Sequence, residues 1–404
     1  MNGFNLSDIT DAKLGATTLG SIYLGSTKLW PLGTDYSKVT FTIEALESAC
    51  QVQLSQVGIW GDPYIISYST NGGTSWTQAA WGSSSGALII SLSLGDTLMI
   101  RGNNGRLAKD TSHYHKISAT KKIKVYGNIN YLAQAAKTHG GTVISLGTDY
   151  YYAYLFSGCN TLVDASDLVL PSTPGRYSYW AMFENCTQLV NPPKTLSGTE
   201  VGYYGCSYMF SGCSSLADVP DLPATTLAGY AYAGMFQNCT SLTVLPKLNH
   251  ITTITYWAPF RYMFNSCKAI EDARWDKYGN RLLPDSLTVT SGGSAYELMF
   301  NGCTGLKYAP ELTETSPHTG EYNQMFAYRT NSSFLNIYTH ATSLGTNYFS
   351  NIVKGTNHSG NIRRADDVTW DSAQYSQFNY TGSGTSASRW AIRSGGYNSG
   401  DYQT

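Results

Sequence analysis

The sequence predicts a mostly β chain made of N-terminal docking hairpins, a small β-sandwich, a repeat solenoid and a C-terminal cap. Three observations predict it. A segment of about 27 residues recurs through the middle of the chain, and periods of that order mark stacked arrays. Glycine (40), tyrosine (31), serine and threonine carry the polar load between β-branched runs, which favours short strands and turns over long helices. Only 13% of the 404 residues are charged, with 26 Lys and Arg against 27 Asp and Glu. That balance argues against electrostatic capture of nucleic acid and against a polybasic membrane anchor. No apolar run approaches the roughly 20 residues that cross a bilayer.

Residues 1–33 contain a ten-residue tandem, "KLGATTLGSI" followed by "YLGSTKLWPL". Glycine turns between apolar pairs predict hairpins too small to be stable alone, which gain stability by docking on the sandwich or on a partner. The opening "MNGFNLSDITDAKLGATTLG" has no basic start followed by an apolar core, so the expectation is a chain made and folded in the cytoplasm. Residues 34–132 carry the sandwich. In "KVTFTIEAL", Val39, Phe41 and Ile43 alternate with Thr40, Thr42 and Glu44 at the period of a half-buried strand. Asn71-Gly72 between strand-like runs is a hairpin signal, and "ALIISLSLGDTLMIRG" and "KKIKVYGNI" complete the sheets. "NYLAQAAK" is read as a helical turn joining them to the repeats.

Residues 133–349 hold the repeat. Six copies of Phe-x-x-Cys-x-x-Leu occur, with Ile270 for the leucine in the fifth, at Phe156/Cys159, Phe183/Cys186, Phe210/Cys213, Phe236/Cys239, Phe264/Cys267 and Phe300/Cys303, with cysteines 27, 27, 26, 28 and 36 residues apart. A degenerate copy has Phe326 but Arg329 in the cysteine position. A propeller blade needs roughly 40 residues, so this period predicts a solenoid with one strand and one short helical turn per coil. "YAYAGMF" is expected to be that turn and "LTVLPKL" that strand, with Pro193, Pro220, Pro246 and Pro310 at strand ends. Phenylalanines, cysteines and leucines then stack in columns, and the six thiols behave as small hydrophobes rather than as a disulfide or zinc framework. Cys50 and Cys206 lie off that column.

The stretch "YMFSGCSSLADVPDLPATTLAGYAYAGMFQNCTSLTVLPKL" resembles the BspA-like leucine-rich repeats of surface proteins from gut Bacteroidetes, which also occur in virion proteins of their phages. The resemblance runs from Tyr151 to Phe349 and departs from the pattern at the insert "DARWDKYGNRLLPDSLTVTSGG" and in the last copy. "SIYLGSTKLW" resembles N-terminal segments of virion proteins in crAss-like and related phages, which implies docking to the particle through Ile22, Tyr23, Leu24 and Trp30. Residues 350–404 begin with "NIVKGTNHSGNIRRADDVTW", similar to the closing segment of such arrays, and end in a Gly/Ser-rich tail. That tail is read as mobile or as a strand added to the cap, with a binding tip as the rival reading.

Nothing in the sequence points to an enzyme or a cofactor. No phosphate loop or nucleophile elbow is present. His113-Tyr-His115 is a metal half-site at best and is read as two exposed loop histidines. Asp366-Asp367 after Arg363-Arg364 reads as local charge pairing. The positive signal is aromatic: Tyr179, Trp180, Tyr203, Tyr204, Tyr230, Tyr232, Tyr256 and Trp257 precede the Met-Phe pairs. Rigid rings either hold neighbouring coils together or form a recognition surface, and Tyr204, Tyr232, Tyr256 and Trp257 are the expected contacts for host or mucosal glycan. The expectation is a structural phage virion protein, a head or tail fibre or appendage on the virion surface. It would be joined to capsid or tail through its N-terminus and oligomerise as a trimer or dimer for avidity. The alternative is a bacterial cell-surface adhesin of the same repeat type.

Overall fold

The computed structural model describes residues 13–14, 17–18, 22–24, 27–30, 38–58, 64–81, 86–102, 107–132, 149–170, 174–196, 198–329, 335–342, 348–349, 352–353, 360–364 and 390–394. Among them the fold is mostly β with almost no helix. The tandem at the N-terminus forms two hairpins: β1 (Lys13–Leu14) with β2 (Thr17–Thr18), and β3 (Ile22–Leu24) with β4 (Thr27–Trp30). Ile22 stands opposite Trp30 in the second of them.

Two antiparallel sheets follow. One has the order β11 (Ala108–Asp110), β12 (His113–Ala119), β6 (Cys50–Val57), β9 (Leu88–Leu92). The other runs β13 (Ile123–Asn128), β5 (Thr42–Ala45), β10 (Thr97–Arg101), β7 (Ile65–Ser69), β8 (Thr77–Ala80). Phe41, Ile43 and Ala45 face the core as their alternation predicts, yet Thr40 and Thr42 are buried too. Burial is tolerated at Thr42 because its hydroxyl donates to the Thr40 carbonyl at 2.7 Å. Asn71-Gly72 does sit in the β7–β8 hairpin, where the Asn71 side chain accepts from the Ser75 amide at 3.0 Å. Cys50 is buried in this part of the core. Of "NYLAQAAK", only the end of a 3-10 turn at Ile129–Leu132 lies within the described residues.

The first repeat grows directly from this second sheet. Its strand β14 (Leu162–Val169) pairs in parallel with β13, placing Leu162 beside Ile123 and Val169 beside Asn128. The core is continuous across the junction: Phe41 and Phe156 stand 6.2 Å apart, and one buried cluster extends from Phe41 to Ile362.

The expected helical turn before each Met-Phe pair is absent. From six residues before each phenylalanine to two after it, every fourth residue has positive φ, as at Tyr204, Tyr208 and Gly212 or Tyr230, Gly234 and Asn238. The chain therefore runs as successive tight turns, and its N–H groups divide alternately. Tyr177, Tyr179, Ala181, Phe183 and Asn185 donate to carbonyls of the following repeat, while Trp180, Met182, Glu184 and Cys186 donate three residues back within their own. Every group is paired, as burial demands, but the pairing is not the i→i−4 ladder of a helix. Gly234 also makes room, since a Cβ there would come within 2.4 Å of the Tyr208 ring.

The strand expected after each cysteine is also mostly missing. "LTVLPKL" has no strand; pairing in this stretch is reduced to single bridges such as Asp164 with Asn191, Thr195 with Asp221 and Asp272 with Tyr308. Prolines remove the donors a continuous ladder needs. The regular parallel pairing lies further on, in β15 (Glu200–Val201), β16 (Thr226–Leu227), β17 (Thr253–Ile254) and β18 (Thr288–Val289). Toward the C-terminus, β19 (Leu335–Thr339), β20 (Gly360–Arg364) and β21 (Trp390–Ser394) form a three-stranded parallel sheet. The segment read as a tail thus contributes a strand, while Asp366, Asp367 and residues 395–404 lie outside the described residues.

Three columns of side chains fill the repeats. Rings from Phe156 to Phe326 stack in sequence at 5.2–6.1 Å, each within 17° of parallel to the next. A second column holds Tyr152, Tyr179, Tyr232, Phe260, Tyr296, Tyr322 and Phe349. Cys206 occupies its third place, four residues before Phe210, between Tyr179 and Tyr232. The cysteine column is more than hydrophobic filler. The thiols of Cys186, Cys213, Cys239, Cys267 and Cys303 each donate to the phenylalanine carbonyl of the preceding repeat at 3.0–3.2 Å. Arg329, in the cysteine position of the last copy, is buried and donates to the carbonyls of Cys303 and Leu306. Burial lowers its pKa to about 10.

All eight cysteines are buried and free. Burial pushes the column thiols up, Cys303 to about 12, and a thiol that is neither exposed nor ionised is a poor nucleophile. Labelling with a disulfide reagent is accordingly expected to modify none of the eight in the folded chain and all eight after unfolding.

Candidate recognition surface

The residue six before each phenylalanine has positive φ, and in the first four repeats it is tyrosine: Tyr150, Tyr177, Tyr204 and Tyr230. A left-handed tyrosine costs about 1–2 kcal/mol. Stacking offsets that cost: centroids stand 4.5, 5.1 and 4.7 Å apart, at interplanar angles of 1°, 8° and 9°. Trp180 leans against Tyr150, Tyr154, Tyr177 and Tyr204, and Tyr203 lies edge-on to Tyr177, Tyr204 and Tyr230. The Arg176 guanidinium lies 5.2 Å from the Tyr177 ring and 5.6 Å from that of Tyr203. The stripe stops where Ala258, Ser294 and Gly320 take the same position.

Of the four expected contact residues, three are at the surface and one is not. Tyr204 is half-buried within the stripe; Tyr256 and Trp257 are 47% and 43% exposed, and Tyr256 lies 6.2 Å from Tyr203. Tyr232 is 1% exposed and belongs to the interior column, so it cannot touch a ligand. It sits four residues before Phe236, the place that Tyr152, Tyr179 and Phe260 take in other repeats, and this position faces the interior in each of them. Tyr179, likewise, is interior. Tyr150 and Tyr177 are the surface members that the sequence reading passed over. Their signal, a tyrosine six before the phenylalanine in the first four repeats, does not stand out from the neighbouring tyrosines.

The stack also changes what the stripe can do. Tyr177 and Tyr204 have neighbours on both ring faces, so neither face is open to a sugar ring. The stripe offers edges and hydroxyls. Open aromatic surface lies instead at Tyr256, Trp257 and Tyr278, the last 58% exposed. Side chains of Ile22, Tyr23, Leu24 and Trp30 lie outside the described residues, although their hairpin is within them.

His113 and His115 both belong to β12, not to a loop. His115 is buried, its Nδ1 3.0 Å from the Leu107 carbonyl and its ring 5.9 Å from that of Trp81, while His113 Nδ1 pairs with Asp110 at 2.8 Å. The two histidines therefore serve separate local roles. Among the described residues no group of three or more His, Cys, Asp or Glu gathers as metal ligands, and no helix is long and apolar enough to cross a membrane.

The insert between the fifth and sixth repeats builds a polar groove. It folds back so that the Lys277 amide donates to the Leu245 carbonyl and its Nζ to the Val219 carbonyl, both at 2.8 Å. Lys277 also pairs with Asp221 at 2.8 Å, and the Tyr278 hydroxyl donates to Asp221 at 2.5 Å. Burial raises the Asp221 carboxyl, but Lys277 and Tyr278 outweigh it and hold the pKa below its ordinary value. The groove encloses about 520 Å³ between Ser166, Asn191, Pro193, Lys194, Asp218 and Lys277. An adjoining hollow of about 220 Å³ shares Ser166 and Lys194 and adds Asp167, which Lys124 and Lys194 hold at 2.9 and 3.1 Å.

Neither a protein-family model, nor a curated protein, nor a solved structure matches the chain.

Proposed function

We propose that the chain is a structural virion protein, a head or tail appendage whose repeats form a solenoid presenting a recognition surface to host or mucosal glycan. In this reading the N-terminal hairpins dock to capsid or tail proteins. The two antiparallel sheets form a sandwich that acts as a spacer, and the strands from residue 335 onward close the array. The observation that carries it is the register of the repeats: phenylalanines, thiols and tyrosines superpose from one repeat to the next through parallel backbone pairing. Such stacking makes a stiff element, useful for holding a surface away from a particle. The exposed Tyr256 and Trp257 beside the tyrosine stripe support recognition on that element. A trimer or dimer fits the role, because linked weak sites gain avidity.

Mass spectrometry of purified virions tests the assignment, with the chain expected among the particle components. A companion chain lacking residues 1–33 is expected to fold and to be missing from the particle. Normal incorporation of the shortened chain would refute docking through the hairpins, and absence of the full chain from particles would refute the virion assignment itself.

A further inference from the structure

The groove beneath the insert has no part in that account of the aromatic surface, yet it is built at some expense of chain: the cysteines flanking the insert are 36 residues apart instead of about 27. The geometry points to a binding site for a neutral oligosaccharide, seated between the insert and the first three repeats. Its size, about 520 Å³, lies within the range of small-molecule sites. With the adjoining 220 Å³ hollow it forms a trough suited to several linked sugar units rather than one.

Charge selects the class of ligand. Lys194 and Lys277 are balanced by Asp218 and Asp221 in the lining, and both lysines are already engaged, Lys194 with Asp167 and Lys277 with Asp221. An anionic ligand would have to draw a lysine away from its carboxylate, while a cation would meet outside these pairs only Asp218, which is exposed to water, where an ion pair contributes little. An apolar ligand would strand Asn191 and Asp218, both exposed now, without water. A polyhydroxylated neutral molecule does neither, since each hydroxyl both donates to a carboxylate and accepts from an amide or ammonium. Tyr278 stands at the edge of the groove, beside the lining residue Asp221, and adds an apolar element there. Its hydroxyl is held by Asp221 and the Lys277 ammonium lies 5.3 Å from its ring, while the residue is 58% exposed, and the face away from Lys277 can receive the C–H face of a sugar. The insert thus converts a flat side of the repeats into a walled site.

Titration calorimetry of the intact chain with maltohexaose, mannohexaose, xylohexaose and chitohexaose, each to about 1 mM, spans weak saccharide binding. At least one is expected to bind, and both Tyr278→Ala and Asn191→Ala are expected to weaken that binding tenfold or more while the melting temperature shows each variant folded. Tyr328→Ala, at another exposed tyrosine, leaves it unchanged. No binding by the wild-type chain, or an affinity that either groove variant leaves as it was, overturns the assignment. Neither result bears on virion membership, which the particle composition decides separately.

Discussion

Replacing Phe236 with alanine is expected to destabilise the chain by about 3–5 kcal/mol, the range for emptying a large aromatic site in a packed core. The ring is fully buried and lies 5.7 Å from Phe210 and 5.6 Å from Phe264, within 4° of parallel to both. Its loss forfeits two stacked contacts of about 0.5–1.5 kcal/mol each, included in that total. The walls cannot collapse into the space, because the backbone on either side is pinned: Phe236 N–H donates to the Met263 carbonyl at 2.9 Å and its own carbonyl accepts the Cys267 thiol at 3.0 Å. Phe236→Leu should recover part of the loss by refilling volume without restoring the stack. Denaturant unfolding of the three chains measures the order directly, and an alanine variant within about 1 kcal/mol of the parent would show that the column contributes little.

Glu321 should make the chain less stable as pH rises. Its side chain is 1% exposed, neither carboxyl oxygen finds a hydrogen-bond partner of good geometry, and His318 Nδ1 lies 3.7 Å from Oε2. Burial raises its pKa to about 8, Glu314 adds to the rise, and the backbone at His318 and Ala295 offsets it only in part. The folded chain therefore holds a proton that the unfolded chain releases near 4.5. Between those values the native state binds more protons than the unfolded state, so stability is complete below about 4.5 and falls through about 8. The drop attributable to this group is on the order of 4–5 kcal/mol. Glu321→Gln keeps the shape of the protonated acid and cannot ionise, so its melting temperature should fall less steeply than that of the parent across that window. A slope of the same sign remains from Glu184, Glu297 and Glu314, whose carboxyls burial also raises, that of Glu314 partly relieved by the Leu287 amide at 2.7 Å. If wild type and variant show the same pH profile, the buried carboxyl is not what governs it.

Much of the repeat was readable because its columns use residue types with one obvious preference. Phenylalanine and leucine at a fixed period belong inside, and the residue just before each cysteine is Gly158, Asn185, Gly212, Asn238, Ser266 or Gly302, mostly types that tolerate positive φ. The two other left-handed positions were not readable. Apart from Gly234 and Gly320, they hold residues such as Tyr230, Ala258, Leu298 and Gln324, side chains that ordinarily avoid this region, so the turn pattern is hidden in "YAYAGMF". Proline points the right way in "LTVLPKL", which forms no strand, and the corresponding stretches of several other repeats make only isolated bridges. Tyr232, four residues before Phe236, shares its inward side, a placement that the run of aromatics ahead of each Met-Phe pair does not disclose. The groove had no linear signature at all: Ser166, Asn191, Asp218 and Lys277 come from four separate stretches, brought together by an insert whose path depends on carbonyls two repeats away.

The alternating amide pattern has an outcome for how this chain can change over time. Because every second peptide hydrogen is committed to the unit ahead, a unit is a template that only another of the same pitch can complete. Whole units can be duplicated or dropped without disturbing those that remain, whereas one or two extra residues inside a turn ribbon would put donors opposite donors along its whole length. Novelty is therefore channelled to the connections outside the ribbons, and the one long excursion among the described residues, residues 272–293, lies in such a connection.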